Sequence, residues 1–323
     1  MGSPFILPPP VRQLYIHRML NTAREAVLHE VLLAALEQVD PDVLAAEIQR
    51  YGPKAARQVL QQAGIRDELV FATPAVLRQR PSTLGYYRLL LGISQKIFYT
   101  TGTGLAAFKV LETRNGLPSN LEPRLGDLCE TLDDALGALV LGVEGILTPL
   151  DVQQLPLLML GAQADGSWRN LVGQKATKEV FEALTDVIKG QNVDYVETGG
   201  TSLTLVNSSG REVSIALAAD PDVVITEEIT KGRKYIKVAI EIKGGADKSN
   251  AHNRVGEAEK SHQKVRNTAQ DFWTVISLAS LDLTMLHRES PSTKQWFDLA
   301  QVLKRHGPDW ERLTDHLLIA MGI

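Results

Sequence analysis

The chain has 323 residues, of which 44% are hydrophobic and 22% are charged, and its formal net charge is −4. This length fits one large unit or two packed domains, and the composition excludes a disordered, collagen-like or coiled-coil protein. The net negative charge gives no support to nucleic-acid binding by the molecule as a whole, so such a function needs a local basic region.

No membrane-spanning or secretory segment is predicted. The longest apolar stretch, residues 135–147, is too short to cross a bilayer and contains Glu144. The amino-terminal residues lack a basic segment followed by an apolar one. The single cysteine, Cys129, cannot form an internal disulfide, which favours a reducing compartment. We therefore expect a cytoplasmic protein with no membrane partner.

The first half of the chain has the apolar spacing of helices. Apolar residues recur at intervals of three and four, with few β-branched runs. Asp40 and Pro41 mark one helix start, because Asp caps a helix N-terminus and Pro suits its first turn. The segment 84–99 is a predicted buried helix. We predict a helical region over residues 1–165, with a polar connection at residues 165–167.

The apolar period then changes from about 3.6 to 2, which indicates strands. In chain order, the expected elements are a helix at 174–188, strands at 202–206, 212–217, 222–226 and 235–243, a polar loop at 244–253, a helix at 256–269, a strand at 273–278 and helices over 295–323. The turn residues 207–210 predict a hairpin, and the strands around them are expected to be antiparallel. Residues 166–323 are therefore predicted to form a mixed α/β domain.

Two acidic residues and a lysine on neighbouring predicted strands carry the candidate chemistry. Side chains alternate along a strand, so Glu241 and Lys243 share one face and are neighbours on it. The adjacent strand begins at Asp222, which would bring a second carboxylate beside Glu241. On the same predicted face as Glu241 lie Tyr235, Lys237 and Ala239. On the opposite face lie Ile236, Val238, Ile240 and Ile242. Two close carboxylates repel unless a cation lies between them, and ligation by oxygen alone suits Mg²⁺.

Such a site suits the hydrolysis of phosphodiesters. Mg²⁺ held by Asp222 and Glu241 would polarise a phosphate oxygen and lower the pKa of a bound water. Lys243 would orient the hydroxide or stabilise the charge of the transition state. Asp220, two residues before Asp222, is the competing candidate for the first metal ligand.

The Pro-Asp pair followed by Glu-x-Lys resembles the PD-(D/E)XK nuclease motif, and the resemblance covers roughly Gln174 to Leu278. It implies an α/β (α+β) fold in which a nuclease core of mixed sheet is flanked by helices. The implied metal-binding residues are Asp222, Glu241 and Ile242. Glu179 and Glu182 on the preceding helix are candidates for an additional carboxylate, as in some related nucleases, and the alternative is that both are ordinary exposed glutamates of a helix.

The two halves of the motif differ in how specifically they indicate a nuclease site. Pro-Asp occurs three times, and at Pro41 it begins a predicted helix instead of a strand. Glu-x-Lys occurs once, on an alternating strand after the Pro-Asp pair at Pro221. The alternative interpretation is an exposed strand face that carries a surface ion pair.

A basic segment surrounds the motif. Residues 231–266 contain ten Lys and Arg against four Asp and Glu, a local charge of +6 where a phosphate backbone would lie. Gly244 and Gly245 permit close backbone approach to a ligand. The candidate DNA contacts are Lys248, Asn250, His252, Asn253, Arg254, Lys260 and Lys264. The alternatives are turn formation by the two asparagines and pairing of Lys260 and Lys264 with Glu257.

The run from Glu241 to His262, together with the helix from Tyr86 to Tyr99, resembles type II restriction endonucleases, most nearly the XcyI-type group. The resemblance implies a homodimer that uses Mg²⁺ to cut double-stranded DNA at a short palindrome, CCCGGG in that group. Two other functions remain open: a structure-specific repair or recombination nuclease, and a noncatalytic protein-interaction protein whose Glu-x-Lys is incidental.

Overall fold

The computed structural model describes residues 10–230, 232–245, 251–278 and 281–323. The chain divides into two compact units between Trp168 and Arg169, close to the boundary predicted at residues 165 and 166. The first unit is helical and the second contains a mixed sheet flanked by helices. The predicted fold class, a mixed α/β core with a large amino-terminal helical region, is therefore confirmed.

The first unit is built from short helices that bury their apolar sides against one another. They are α1 (Val11–Ala26), α2 (His29–Leu36), α3 (Pro41–Tyr51), α4 (Lys54–Gln62), α5 (Pro74–Gln79), α6 (Leu84–Leu90), α7 (Gln95–Phe98), α8 (Lys109–Arg114), α9 (Leu125–Gly142) and the beginning of α10 (Pro149–Lys189). Asp40 caps α3 as predicted, since its side chain accepts hydrogen bonds from the N–H groups of Asp42 and Val43. None of the described helices is both long and apolar enough to cross a membrane.

Two predicted helix boundaries in this region are wrong. The segment 84–99 is two helices, α6 and α7, because Gly92 adopts a positive φ of 70° between them. Conversely, the predicted connection at 165–167 lies inside α10, which continues for 41 residues. Packing outweighs the polar sequence there, since Asp165 pairs with Arg12 and the neighbouring Trp168 ring lies 5.4 Å from that of Tyr15.

Over the described part of the second unit, seven strands form one sheet in the order β1 to β7. They are β1 (Tyr195–Thr198), β2 (Ser202–Val206), β3 (Glu212–Leu217), β4 (Val223–Thr230), β5 (Arg233–Lys243), β6 (Ala269–Ile276) and β7 (Gln295–Asp298). The first five are antiparallel, and β5, β6 and β7 are parallel. The predicted hairpin and the antiparallel pairing of β4 with β5 are confirmed.

Helices cover both faces of the sheet around β5. On one face, apolar side chains of α10 such as Val180 and Leu184 pack with Val223, Val238 and Ile240. The helices α13 (Leu299–Lys304) and α14 (Pro308–Met321) contribute to the same core. On the other side, α11 (Ala251–Lys264) and α12 (Leu283–Glu289) form a smaller apolar cluster with β6 and β7. The ends of β4 and β5 therefore lie between helical layers.

The predicted faces of β5 are correct only beyond a bulge. Val238 pairs with Ile225 while Ile236 pairs with Thr226, so Lys237 is an extra residue opposite β4. Tyr235 and Lys237 consequently both contact Glu227. Glu227 lies on the same face of β4 as the buried core residues at the beginning of that strand. Their predicted placement on the face of Glu241 is wrong, because the sequence pattern does not reveal the bulge.

Two elements near the carboxyl end also differ from the predictions. The helix expected at 256–269 already begins at Ala251, so the carboxyl end of the predicted loop 244–253 is helical. The helical segment predicted from Gln295 begins instead with strand β7, which has only four residues. A strand this short has too little alternation to be distinguished from helix.

Candidate active site

Asp222 lies directly before β4 and faces the end of β5. Its Oδ2 accepts a hydrogen bond from the backbone N–H of Ile242 at 2.8 Å, and the nearby Thr177 on α10 acts to lower its pKa. Burial raises the pKa of Asp222 above its usual value, although the Ile242 N–H and the charge of Lys243 act in the opposite direction. The predicted neighbourhood of Asp222 and the Glu-x-Lys strand is therefore present.

Glu241 is a buried carboxylate, 5% exposed, on the central strand β5. Its Oε1 lies 2.8 Å from Nζ of Lys243, and the nearby Ser261 of α11 acts to lower the pKa of the carboxylate. Its Oε2 is buried and has no hydrogen-bond partner among the described residues. Burial and then the charge of Asp222 raise the pKa of Glu241, so Asp222 disfavours ionisation of Glu241.

Lys243 completes the predicted triad and is held between two acids. Besides the contact with Glu241, its Nζ lies 3.6 Å from Oε2 of Glu257 on α11. Burial acts to lower the pKa of Lys243, but the adjacent Glu241 and the more distant Glu257 outweigh it and the pKa is raised. Lys243 is therefore a cation at neutral pH, suited to binding a negative charge and unsuited to removing a proton.

Asp220, the competing metal ligand, is held by a different element. Its Oδ2 is bonded to Nζ of Lys264, and its Oδ1 is buried with no hydrogen-bond partner among the described residues. Burial acts to raise the pKa of Asp220, but Lys264 and Ser261 on α11 outweigh it and the pKa is lowered. The two aspartates thus differ in partners: Asp222 is bound by β5, and Asp220 by α11.

The residues at the end of β5 fit a divalent cation that prefers oxygen. Mg²⁺ commonly takes one or two protein carboxylates and completes its shell with water and substrate phosphate. A cation between the two carboxylates would bind the buried, unpartnered Oε2 of Glu241 and offset the effect of the Asp222 charge on Glu241. Ile242 has no ligating side chain, so only its backbone carbonyl is available to a metal.

The described residues contain no group of three or more Asp, Glu, His or Cys placed to hold a metal. Glu179 and Glu182, the candidates for an extra carboxylate, face Lys175 and Lys178 on the same helix at 3.5 and 3.6 Å. The structure therefore does not bring either glutamate together with Asp222 and Glu241.

The candidate DNA contacts divide into three groups. Lys248 and Asn250 lie outside the described residues. His252, Asn253 and Arg254 are in the first turn of α11, and Nδ1 of His252 lies 2.7 Å from Glu289. The third group is the two lysines later in α11: Lys260 is exposed, and Lys264 pairs with Asp220. The predicted pairing of these lysines with Glu257 is replaced by the contact between Glu257 and Lys243.

The two glycines after β5 serve packing. A Cβ on Gly244 would lie 2.7 Å from the Cβ of Ala176 on α10. A Cβ on Gly245 would lie 3.0 Å from a guanidinium nitrogen of Arg254. Space for a ligand was the expected reason for glycine here, but the structure shows that α10 and Arg254 occupy that space.

Sequence reasoning missed Thr177 and Ser261. Both lie near the acidic residues of the site and act to lower their pKa, Thr177 from α10 on Asp222 and Ser261 from α11 on Glu241. A single Thr or Ser on a helix carries no motif, and only the rotation of each helix against the sheet identifies it. The available signal was the spacing of the basic residues along α11, because Ser261 lies one turn before Lys264.

Comparison with known proteins agrees with the geometry. The family described as XcyI restriction endonuclease matches residues 17–323. Over 268 residues the chain is 37% identical to the type II restriction enzyme XcyI of Xanthomonas campestris pv. cyanopsidis, covering 82% of this chain and 80% of the relative. It is 35% identical over 264 residues to the type II restriction enzyme Cfr9I of Citrobacter freundii, covering 80% and 79%. The chain therefore belongs to the XcyI restriction endonuclease family.

Proposed function

We propose that this protein is a Mg²⁺-dependent endonuclease that cuts double-stranded DNA at a specific short palindrome. The observation that carries the proposal is the arrangement of the half-buried Asp222 and the buried Glu241, two carboxylates on adjoining strand ends, with Lys243 beside them. The family membership supports the type II restriction activity named for the two relatives. The proposed target is CCCGGG, which the resemblance to the XcyI-type group implies.

Each residue of the triad has a distinct role in the proposal. Asp222 and Glu241, with the backbone carbonyl of Ile242, hold Mg²⁺, which when bound polarises the scissile phosphate and favours ionisation of the attacking water. The raised pKa of Lys243 keeps its ammonium charged. Lys243 therefore orients the nucleophile and stabilises negative charge developing on the phosphate oxygens.

DNA binding is proposed for the basic surface next to this triad. Lys260 and Lys264 on α11, and Lys248 before it, would contact phosphates, which supplies affinity without reading sequence. Asn250, His252, Asn253 and Arg254 would approach the bases. A single active site cuts one strand, so equivalent cuts in both strands of a palindrome call for a two-fold symmetric homodimer.

The test is plasmid cleavage with Mg²⁺ by the full chain and by isosteric variants. Asp222→Asn, Glu241→Gln and Lys243→Met are each expected to lower the cleavage rate by roughly two or more orders of magnitude while the protein stays folded. Glu179→Gln, an exposed glutamate on α10, is the matched control and is expected to cleave like the wild type. Comparable cleavage by a folded Lys243→Met protein would contradict the assignment.

The pattern of products separates this function from the two alternatives. Discrete fragments that end at CCCGGG are expected, and discrete fragments at another palindrome would correct the target alone. Cutting restricted to branched DNA indicates a repair nuclease. Absence of Mg²⁺-dependent cleavage on every duplex indicates a noncatalytic protein. Light scattering of the DNA complex is expected to give twice the protomer mass, and one protomer per site would contradict symmetric cutting.

A further inference from the structure

The helical unit contains a basic stretch that the proposed catalytic site does not use. Between Glu68 and Glu122 the chain has six Lys and Arg but a single acidic residue, Glu112. Glu112 is buried, and its two carboxylate oxygens accept hydrogen bonds from the buried Arg88 at 2.7 and 2.9 Å. The negative charge of Glu112 is therefore neutralised inside the unit, and within residues 69–121 no acidic side chain is exposed.

Three bases of this stretch are exposed on α7 and α8. Lys96 lies on α7, and Lys109 and Arg114 are the first and last residues of α8. None of the three forms an ion pair with another residue that the structure describes. We call these three side chains the α7–α8 surface. An exposed cation without a counter-ion is available to an anionic partner.

Buried hydrogen bonds attach α7 to α8. Glu112 of α8 accepts hydrogen bonds from the side-chain amide of Gln95 and from the hydroxyl of Tyr99, each at 2.6 Å. Gln95 is the first residue of α7 and Tyr99 follows its last. Both ends of the helix that carries Lys96 are therefore bound to α8. Side chains on rigid elements lose less conformational freedom on binding than side chains on loose ones.

The exposed residues between α7 and α8 are small and polar. Thr100 and Thr101 are exposed, and Thr103 donates to the carbonyl oxygen of Phe98 at 2.9 Å. Between residues 96 and 114, Ile97 is the only large apolar side chain that is exposed. One such side chain is normal for a protein surface and does not make an apolar docking face. Lys, Arg and Thr are side chains that contact DNA phosphates.

We propose that the α7–α8 surface binds the phosphate backbone of duplex DNA. The inference rests on the proposed function, since it takes duplex DNA as the substrate. It assigns DNA contacts to the helical unit, in addition to those proposed for α11. The charge favours this partner, because three unpaired cations with no exposed acid among them attract a polyanion. Phosphate contacts add affinity without reading sequence.

The first test measures DNA binding by the full chain in Ca²⁺, which prevents cleavage. The combined change Lys96→Ala, Lys109→Ala and Arg114→Ala is expected to lower the affinity for target and random duplex alike, by about tenfold or more at about 0.1 M salt. The log-log slope against salt is expected to become shallower by about two to three, since each phosphate contact contributes about 0.9. An unchanged slope would overturn the proposal.

Two triple variants are the matched controls, with circular dichroism checking that every variant is folded. The first combines Arg18→Ala, Arg50→Ala and Lys54→Ala, which removes the same charge from exposed positions on α1, α3 and α4. It is expected to keep the wild-type slope, and an equal loss of slope would show only general attraction and overturn the proposal.

The second control retains the charge of the surface through Lys96→Arg, Lys109→Arg and Arg114→Lys. Phosphate contacts depend chiefly on charge, so this variant is expected to bind with the wild-type slope. A slope reduced as in the alanine variant would indicate a structural effect of the substitutions and overturn the proposal.

Acetylation of lysines in the wild type tests the contact directly. Mass spectrometry is expected to show that duplex DNA slows the acetylation of Lys96 and Lys109 several-fold and leaves that of the exposed Lys54 unchanged. Equal rates with and without DNA would overturn the proposal. Protection that arises without DNA as the protein concentration increases would assign the surface to a second copy of the chain, which also overturns it. A wild type that neither binds nor cleaves DNA would instead contradict the proposed function, whereas failure of this inference alone leaves an active wild type.

Discussion

Gly244 lies so close to Ala176 that a Cβ on the glycine would stand 2.7 Å from the Cβ of the alanine. The same Cβ would be 3.1 Å from the Cα of Gly173 and from the carbonyl oxygen of Val172. These neighbours are backbone or are rigidly attached to it, so none can rotate aside. Because Gly244 directly follows Lys243, the contact fixes the end of β5 against the helix that carries Thr177.

Gly244→Ala is therefore expected to destabilise the protein by about 1–3 kcal/mol through overpacking, and to reduce cleavage by displacing Lys243. The matched control is Gly173→Ala, on the other side of the same contact, where the new Cβ would meet no atom within 4 Å. That change is expected to be neutral or to stabilise by up to about 1 kcal/mol, since Ala favours helix over Gly. Urea unfolding measures both, and equal stability of Gly244→Ala and wild type would contradict the packing argument.

The parts of the fold set by local signals were predictable from sequence. The hairpin of β2 and β3 is one case, because Asn207 accepts hydrogen bonds from Ser209 and Arg211 and Gly210 adopts a positive φ of 74°. Turn residues between alternating runs encode such geometry within a few positions. The approach of Asp222 to the Glu-x-Lys strand was also predictable. It follows from the antiparallel pairing of two consecutive strands and from the alternation of side chains along each of them.

Features set by distant contacts were not predictable in this way. The bulge at Lys237 depends on Glu227, a buried carboxylate whose pKa is lowered to about 2, first by the hydrogen bond from Tyr235. The continuity of α10 through residues 165–167 depends on packing against α1. Such interactions join residues far apart in sequence, and a single sequence does not encode which residues meet.

The buried ion pair of Arg88 and Glu112 gives a second stability prediction. Arg88 is 1% exposed and donates to both carboxylate oxygens of Glu112, at 2.9 and 2.7 Å. Glu112→Gln would leave the guanidinium charge buried without its counter-ion, and we expect a loss of about 3–5 kcal/mol. The exposed pair of Lys175 and Glu179 is the comparison, where Glu179→Gln is expected to cost at most about 0.5 kcal/mol. Similar unfolding midpoints for the two variants would contradict this prediction.

Asp133 predicts a pH dependence of stability. It is fully buried, and burial raises its pKa to about 8, although the Ala72 N–H donates to Oδ1 at 2.7 Å. Since an unfolded Asp has a pKa of about 3.9, the folded state binds one proton more between about pH 4 and 8, and stability falls as pH rises through this range. Above about pH 8, Asp133 is ionised in both the folded and the unfolded state, so the loss of stability is complete.

Asp133→Asn removes this titration and is expected to flatten the dependence, so that the variant gains stability relative to wild type as the pH increases from 5 to 9. Thermal unfolding at several pH values measures the difference. Asp127→Asn, at an exposed position of the same helix α9, is the control and is expected to leave the slope unchanged. Parallel curves for wild type and Asp133→Asn would show that another group is responsible.

The phosphate contacts proposed for α11 predict a change in salt dependence. Lys260→Ala and Lys264→Ala are each expected to weaken binding similarly across DNA sequences and to reduce the log-log slope against salt by about one. Binding is measured with Ca²⁺ in place of Mg²⁺ to prevent cleavage. Lys175→Ala, an exposed lysine on α10, is the control and is expected to keep the wild-type slope. An unchanged slope in the α11 variants would place the DNA elsewhere.

Arg254 is the residue we expect to read a base. It is half-buried in the first turn of α11, with its guanidinium against Gly245 just beyond the end of β5. A bidentate contact with guanine O6 and N7 contributes about 1–3 kcal/mol to discrimination, whereas a phosphate contact contributes to all sequences alike.

Arg254→Ala, and to a smaller extent Asn253→Ala, is therefore expected to lower the preference for target over near-target duplex more than it lowers nonspecific binding. Lys260→Ala provides the comparison, because a phosphate contact should leave that preference intact. Competition binding with target, single-mismatch and random duplexes in Ca²⁺ measures each ratio, and equal loss of affinity for target and random duplex in Arg254→Ala would show that this side chain binds the backbone instead.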